Sequence, residues 1–419
     1  MKFLRILFTL ALLHAARSES AYAQQTAAPV PGEELTVYLM TMGPGDAVFE
    51  KFGHTAIWIH NSASNSDIAY NWGLFDFNDR DFIARLARGK MRYSMAGFEM
   101  QPMLRSYIAQ NRTVWAQELN LTPQQRLELR NLAEINALPE NRYYLYDYYR
   151  NNCSSLPRDL IDRVVGGAIR KRTDSVLTNT TFRSHTLRLL GDDLLPFAGS
   201  QFALGHPADT NISQWQEMFL PLKLQEHLRR VYVAGTTGAQ EPLVVREVQL
   251  AASNRPADRK AAPNYVRRFT LFGIGIALFL FILLSLSLTG LRTTKVLLGF
   301  FAAVVSIIGG LAGLGLILAW TVTDHYFMSR NENILQLNPL LLVAGLLIPF
   351  AFKVGRVRKP LIGIVFASAA LSLLGFAMQA LPMFRQPNGE IIGLAMPVQI
   401  ALAIICWFQF SERMQRVRP

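Results

Sequence analysis

Two side chains in this sequence have the types needed for thiol chemistry, Cys153 and His54. Cys153 follows an aromatic run, in YYLYDYYRNNCSSLPRDLID from Tyr143 to Asp162, where Asn151 and Asn152 interrupt the run. Ser154 and Ser155 are N-cap types, Pro157 is tolerated only in a first helical turn, and Leu160, Ile161, Val164 and Val165 give an apolar face that Gly166-Gly167 ends. The spacing therefore puts Cys153 near a helix N-terminus. The helix dipole and unpaired N–H groups there are expected to lower the thiol pKa and to offer an oxyanion site. On its own, a lone cysteine is most simply a small core hydrophobe. His54 opens a strand pattern, and an imidazole fixed on a sheet beside that helix could take the thiol proton and return it to a leaving group.

The other histidines fit such a role less well. His60 shares the strand face of His54, but strand rise carries it roughly 20 Å away. His185, His206 and His227 lack ligand spacing, and neither HExxH nor CxxC occurs, so neither a metal nor another cofactor is expected. The aromatics from Tyr143 to Tyr149 read as core and wall residues, with a tyrosine beside Cys153 able to donate to an oxyanion.

The elements that must position these residues follow from pattern. Lys2 and Arg5 precede a short apolar run, and Ala21-Tyr22-Ala23 fits a cleavage site, so residues 1–23 are expected to be a secretory signal peptide. Export sharpens the thiol question, because the chain has only two cysteines, and the second, Cys406, falls in an apolar run. Residues 24–235 read as one exported domain. It should hold strands at Leu35 to Met40, from His54, at Ile68 to Phe77 and at Val114 to Leu121, then a helix from Thr122-Pro123 to about Ala137 with Leu127, Leu132 and Ile135 inward. Residues 236–268 read as a partly basic linker. Five apolar stretches, 269–288, 296–320, 338–352, 361–381 and 391–410, read as transmembrane helices, followed by a tail at 411–419. Arg and Lys cluster after the first and third spans and in the tail, which places those segments in the cytoplasm. Much of the formal charge of +12 lies in these flanks, so it does not argue for nucleic acid.

With FGHTAIWIH, AYNWG and YYRNNCSSLPRDLID in place, the exported part resembles the permuted papain-like fold of lecithin retinol acyltransferase and NlpC-type peptidases, in which the His strand precedes the Cys helix. Adding LGHPAD, EMFLPLKL and DHYFMSRNENILQLNPL, nearly the whole mature chain resembles the Lnb-type bacterial lipoprotein N-acyltransferases. The fold class expected is α+β, a permuted papain-like domain followed by an all-α bundle of about five membrane helices. The resemblance implies Cys153 as nucleophile and His54 as base. Asn71 is the first candidate to orient the imidazole, with Asp76 the alternative, and a turn role before Gly73 fits Asn71 as well. It also favours the loop 321–338 as a binding platform, with His325, Asn331 and Asn333 alongside Tyr149 as substrate-binding residues. The implied activity moves an acyl chain from a membrane phospholipid to the lipidated N-terminal cysteine of a lipoprotein, at the bacterial inner membrane with the catalytic domain in the periplasm. The same dyad could instead serve a membrane-anchored cell-wall amidase or peptidase.

Overall fold

Alternation in the first two strands sorts side chains onto two faces of one sheet. Leu35, Val37, Leu39, Ile57 and Ile59 are buried on one face, and Met40, Met42 and Ala56 on the other. The computed structural model describes residues 30–235, 238–384 and 386–411. The signal peptide expected at 1–23 and the tail from 412 lie outside the described residues. Strands β1 (Leu35–Met42), β2 (His54–Asn61), β3 (Ser66–Leu74), β4 (Arg92–Glu99), β5 (Val114–Leu119) and β6 (Tyr143–Leu145) are joined by a later strand, described below, in a seven-stranded antiparallel sheet. The first face packs on the helices Pro123–Ala137, Ser155–Val164 and Pro221–Leu228 through Leu129, Ala133, Ile161, Val164, Leu224 and Leu228. The helix Met100–Ala109 covers the second face through Met100, Met103 and Leu104. This is an α+β domain with the His strand ahead of the Cys helix.

Two expectations are corrected here. In Pro123–Ala137 Leu132 packs on the core as expected and Leu129 and Ala133 are buried with it, whereas Ile135 is exposed. The expected linker 236–268 is not all linker. Within it, β8 (Gln240–Pro242) forms a hairpin with β7 (Tyr232–Ala234), and β9 (Val244–Ala251) pairs with β5 as the sheet's edge, from Val114↔Ala251 to Leu119↔Val244. An edge strand with one face to solvent tolerates the polar residues Arg246, Glu247 and Gln249 that made this stretch read as linker.

The second half of the chain supplies five helices long and apolar enough to cross a membrane: Val266–Leu288, Arg292–Thr321, Asn333–Ala351, Gly355–Met378 and Gly389–Phe410. The third is broken after Gln336, and its turn presses its Leu337 carbonyl against Gly313 of the second, where a Cβ would collide. Buried amides and hydroxyls tie the later spans together. Ser372 donates to Gln336 Oε1 at 2.5 Å and Ser368 to Gln399 Oε1 at 2.6 Å.

The exported domain is fastened to this bundle by polar contacts. Gln201, in the helix Leu194–Ala203, donates to Glu390 Oε2 and to the Pro387 carbonyl, each at 2.8 Å. The loop after the second span also reaches the domain. The Gly205 N–H donates to the Phe327 carbonyl at 2.8 Å, and the Asp324 N–H to that of Arg88 at 2.9 Å.

Candidate active site

Cys153 is set by a knot of hydrogen bonds rather than by the serine caps that the sequence suggests. Asn152 Oδ1 accepts the N–H groups of Ser154 and Ser155, both at 2.9 Å, and Ser155 Oγ accepts the Asn152 N–H at 2.8 Å. Asn152 therefore caps the helix Ser155–Val164. Its Nδ2 donates to the carbonyls of Tyr148 at 2.9 Å and Phe219 at 3.0 Å, while Ser154 Oγ donates to Met218 at 2.8 Å. Both neighbours of the thiol are thus bound to the segment 218–219. That segment is anchored in turn by Glu217, whose carboxylate accepts from His185 Nε2 at 2.9 Å and His227 Nε2 at 2.7 Å, all three side chains being buried. This pairing holds Glu217 far below the usual carboxylate range despite burial.

His54 begins β2, and Asn71 lies on the same face of the neighbouring β3, one register step on at Ala56↔Asn71. His54 Nε2 lies 3.0 Å from Asn71 Oδ1. The Asn71 amide is oriented by donating from Nδ2 to the Ala69 carbonyl at 2.9 Å, which leaves Oδ1 as acceptor. Nε2 therefore carries the imidazole proton, and Nδ1 keeps the lone pair needed by a base. Asp76 is exposed and accepts the Asn78 N–H in a local turn, so it does not take this position.

Gly73 connects the two halves. Its φ is +92°, and a Cβ there would lie 3.1 Å from the Cys153 Cβ, so glycine suits the place where the thiol sits this close to β3. The N–H groups of Thr55 and of Cys153 itself are directed at the thiol. Burial nevertheless pushes the thiol up to about 11, outweighing those donors and the Arg112 charge. Burial likewise lowers His54 to about 4, against the opposing hydrogen bond from Asn71. At neutral pH the pair rests as thiol and neutral imidazole, so the lowered thiol pKa expected from the helix start is not found. The N–H groups of Ser154 and Ser155 are already occupied by Asn152 Oδ1, so they are not free to hold an oxyanion.

Both groups line a cavity of about 940 Å³, at the upper end for small-molecule sites. Its walls include Phe49, Phe75, Met91, Tyr146, Leu190 and Phe219, and residues Asp324 to Met328 close one side. The rings of Phe49, Phe75, Phe77 and Phe82 continue the wall outward as an edge-on aromatic chain, with Phe77 64% exposed. Apolar rings exposed together at a cavity mouth are the kind of surface that suits an apolar ligand or lipid.

Of the four residues expected to bind substrate, two line this cavity. Tyr149 does so with its hydroxyl engaged by Thr186 Oγ1 at 2.8 Å, and His325 with Nε2 on the Leu86 carbonyl at 2.8 Å. Asn331 and Asn333 are not part of it. They are buried and spend their Nδ2 donors on the carbonyls of Gln201, Phe202 and Ala203, closing the end of the helix Leu194–Ala203, so their role is docking. Among the described residues no group of His, Cys, Asp and Glu is placed to hold a metal ion. Sequence reasoning passed over Asn152, Glu217 and Arg112. Asn152 adjoins the thiol and could have been read as a cap; nothing in the local pattern distinguishes the other two.

Comparison with known proteins follows the same division of the chain. Residues 21–191 match the family model of the Lnb N-terminal periplasmic domain, and residues 269–411 that of the Lnb transmembrane domain. Together they cover most of the sequence, in this order. The chain belongs to the Lnb-type lipoprotein N-acyltransferase family. No curated protein and no solved structure matches it. It is a multi-pass membrane protein with a periplasmic domain, as the family models and the five apolar helices together show. The stretch between the two matched regions includes Glu217 to Phe219, to which both neighbours of Cys153 are bonded, and β9.

Proposed function

We propose that the chain transfers an acyl group from a membrane phospholipid to the α-amino group of the lipidated N-terminal cysteine of lipoproteins, through a thioester on Cys153, in the bacterial inner membrane. The observation that carries this reading is the shared wall of the cavity. The thiol faces an apolar space closed by a loop between two membrane spans, where an enzyme with two lipid-anchored substrates needs its site. A cell-wall amidase would have no use for that arrangement.

In the first half-reaction His54 Nδ1 takes the thiol proton as sulfur attacks the ester carbonyl, and the N–H groups of Cys153 and Thr55 hold the oxyanion. The S–C bond forms, the ester C–O bond breaks, and His54 returns the proton to the departing lysophospholipid oxygen. In the second, the acceptor amine attacks the thioester, C–S breaks as C–N forms, and the amine proton passes through His54 to the thiolate. A neutral resting pair suits this cycle, because charge develops only as bonds change. The apolar wall keeps water from the thioester and favours transfer over hydrolysis.

Incubating purified protein with phospholipid and no acceptor should give a hydroxylamine-labile acyl adduct on the peptide containing Cys153, detected by intact mass and peptide mapping. Cys153→Ala should give none and should lose N-acylation of a lipoprotein acceptor. An adduct mapping elsewhere, or full N-acylation by Cys153→Ala, would refute the mechanism.

A further inference from the structure

We propose that Arg112 is the anion anchor of the donor site, binding the phosphodiester of a glycerophospholipid whose ester carbonyl is presented to Cys153. This rests on the phospholipid-donor reading above and adds to it the residue that recognises the donor.

Arg112 is only 3% exposed and lines the catalytic cavity. It follows the left-handed turn at Asn111 (φ 52°) and is separated from β5 by Thr113 alone. Its guanidinium is under-partnered for a buried cation. Nε donates to the Gly43 carbonyl at 2.8 Å, whereas the nearest carboxylate, Glu50 Oε1, stands 3.6 Å from Nη1, beyond hydrogen-bond range. The other Glu50 oxygen accepts the Ala47 N–H at 3.1 Å, so that carboxylate is shared. Nη2 is buried and has no hydrogen-bond partner among the described residues. The planar group lies over the Tyr107 ring, 4.8 Å from its centroid, which holds it without satisfying its donors. A guanidinium has five donors in a rigid fork, and burying one with so few acceptors is costly unless an anion completes it.

Its position says which anion. Arg112 lines the same cavity as His54 and Cys153, and its charge acts on both. In a glycerophospholipid the phosphodiester and the ester carbonyls are separated by a few bonds of the glycerol unit. A phosphodiester on the fork would therefore hold an ester within reach of the thiol, and the acyl chains would follow the apolar wall toward Phe49 and Phe75. The planar fork suits phosphate oxygens better than a point charge would. The competing role for Arg112 is to stabilise the thiolate or the oxyanion, which would be independent of the headgroup.

The test compares two donors with the same acyl chains in nonionic micelles, phosphatidylethanolamine and diacylglycerol, and reads kcat/KM for thioester formation by intact mass. A lost charged hydrogen bond corresponds to about tenfold or more. The wild type should favour the phosphodiester donor by at least that factor, and Arg112→Gln should bring the ratio of the two donors close to one. Soluble glycerophosphoethanolamine should inhibit wild-type acylation from diacylglycerol, a readout that does not depend on the variant folding. Equal use of both donors by the wild type, an unchanged ratio in Arg112→Gln, or no inhibition by the soluble headgroup would overturn the anchor while leaving the thioester mechanism standing. No adduct from either donor in the wild type would overturn the donor reading itself.

Discussion

Replacing Asn152 by alanine tests whether the nucleophile is held as described. The side chain is 5% exposed and makes four hydrogen bonds, accepting from Ser154 and Ser155 and donating to the carbonyls of Tyr148 and Phe219. Loss of an N-cap costs about 1 kcal/mol. Each of the two buried carbonyls left without its donor adds roughly 1–3 kcal/mol, less where the chain relaxes or water enters. A total of about 3–7 kcal/mol before relaxation lowers the melting temperature of a domain of this size by roughly 6–28 °C. Catalysis should suffer further, since Cys153 lies between the two residues this knot fixes, and a displacement of the order of 1 Å costs about a hundredfold in rate. Thermal unfolding and Cys153 acylation would be measured on the same preparations, with Asn152→Ser alongside. Serine can keep the cap while losing both donated bonds, so it should fall between alanine and wild type. Unchanged melting temperature together with near-normal acylation in Asn152→Ala would refute the account of how the thiol is positioned.

Gly73→Ala should reduce acylation strongly, because a Cβ at φ +92° is strained and would lie 3.1 Å from that of Cys153; single-turnover rates at saturating donor would check it, and a normal rate would remove the glycine from the argument. His54→Ala should cost about 10²–10⁴ in kcat, whereas Asn71→Ala, which removes one buried hydrogen bond of about 1–3 kcal/mol, should cost roughly 5–100-fold; equal losses would contradict an orienting role. With His54 lowered to about 4 and Cys153 raised to about 11, acylation should hold nearly level through neutral pH and fall at the acid end as His54 takes a proton. Stability follows the same sign. Below the unfolded histidine value of about 6.5 the unfolded chain binds a proton that the folded chain refuses until about 4, so stability is lost as pH falls through that window, and chemical denaturation of His54→Gln should show a smaller loss.

The strand that begins at His54 was legible from its place after the Gly-Pro-Gly turn and short helix, and the one that carries Asn71 from the strand propensity of Ile68 to Phe77 after an Asn-Ser turn. The spans were legible because length and apolar run leave few alternatives. What holds the site was not. Asn152 is one polar residue beside an expected serine cap, and its choice over Ser154 depends on the Met218 and Phe219 carbonyls, far along the chain. Glu217 is called into place by His185 and His227, which share no motif spacing with it. The thiol pKa was misread in sign because a helix start is visible in sequence and the desolvation that outweighs it is not. Val244–Ala251 was passed over because an edge strand carries polar residues that also suit a linker.

The docking of Gln201 on Glu390 and Pro387 sets a timetable for biogenesis. Residues 324 to 328, which close the cavity, leave the ribosome after the whole exported domain, and the residues that fasten that domain to the bundle come later still, at the entrance of the fifth span. A nascent chain therefore exports its thiol and imidazole well before it owns a closed pocket. During that interval the open site has no dry wall to protect a thioester. The contacts that hold the domain on the bundle through Gln201 are complete only when the fifth span has been made. On the proposed mechanism, chains that stall or lose the fifth span would lack that wall, and any thioester they formed would be lost to water rather than passed to an acceptor.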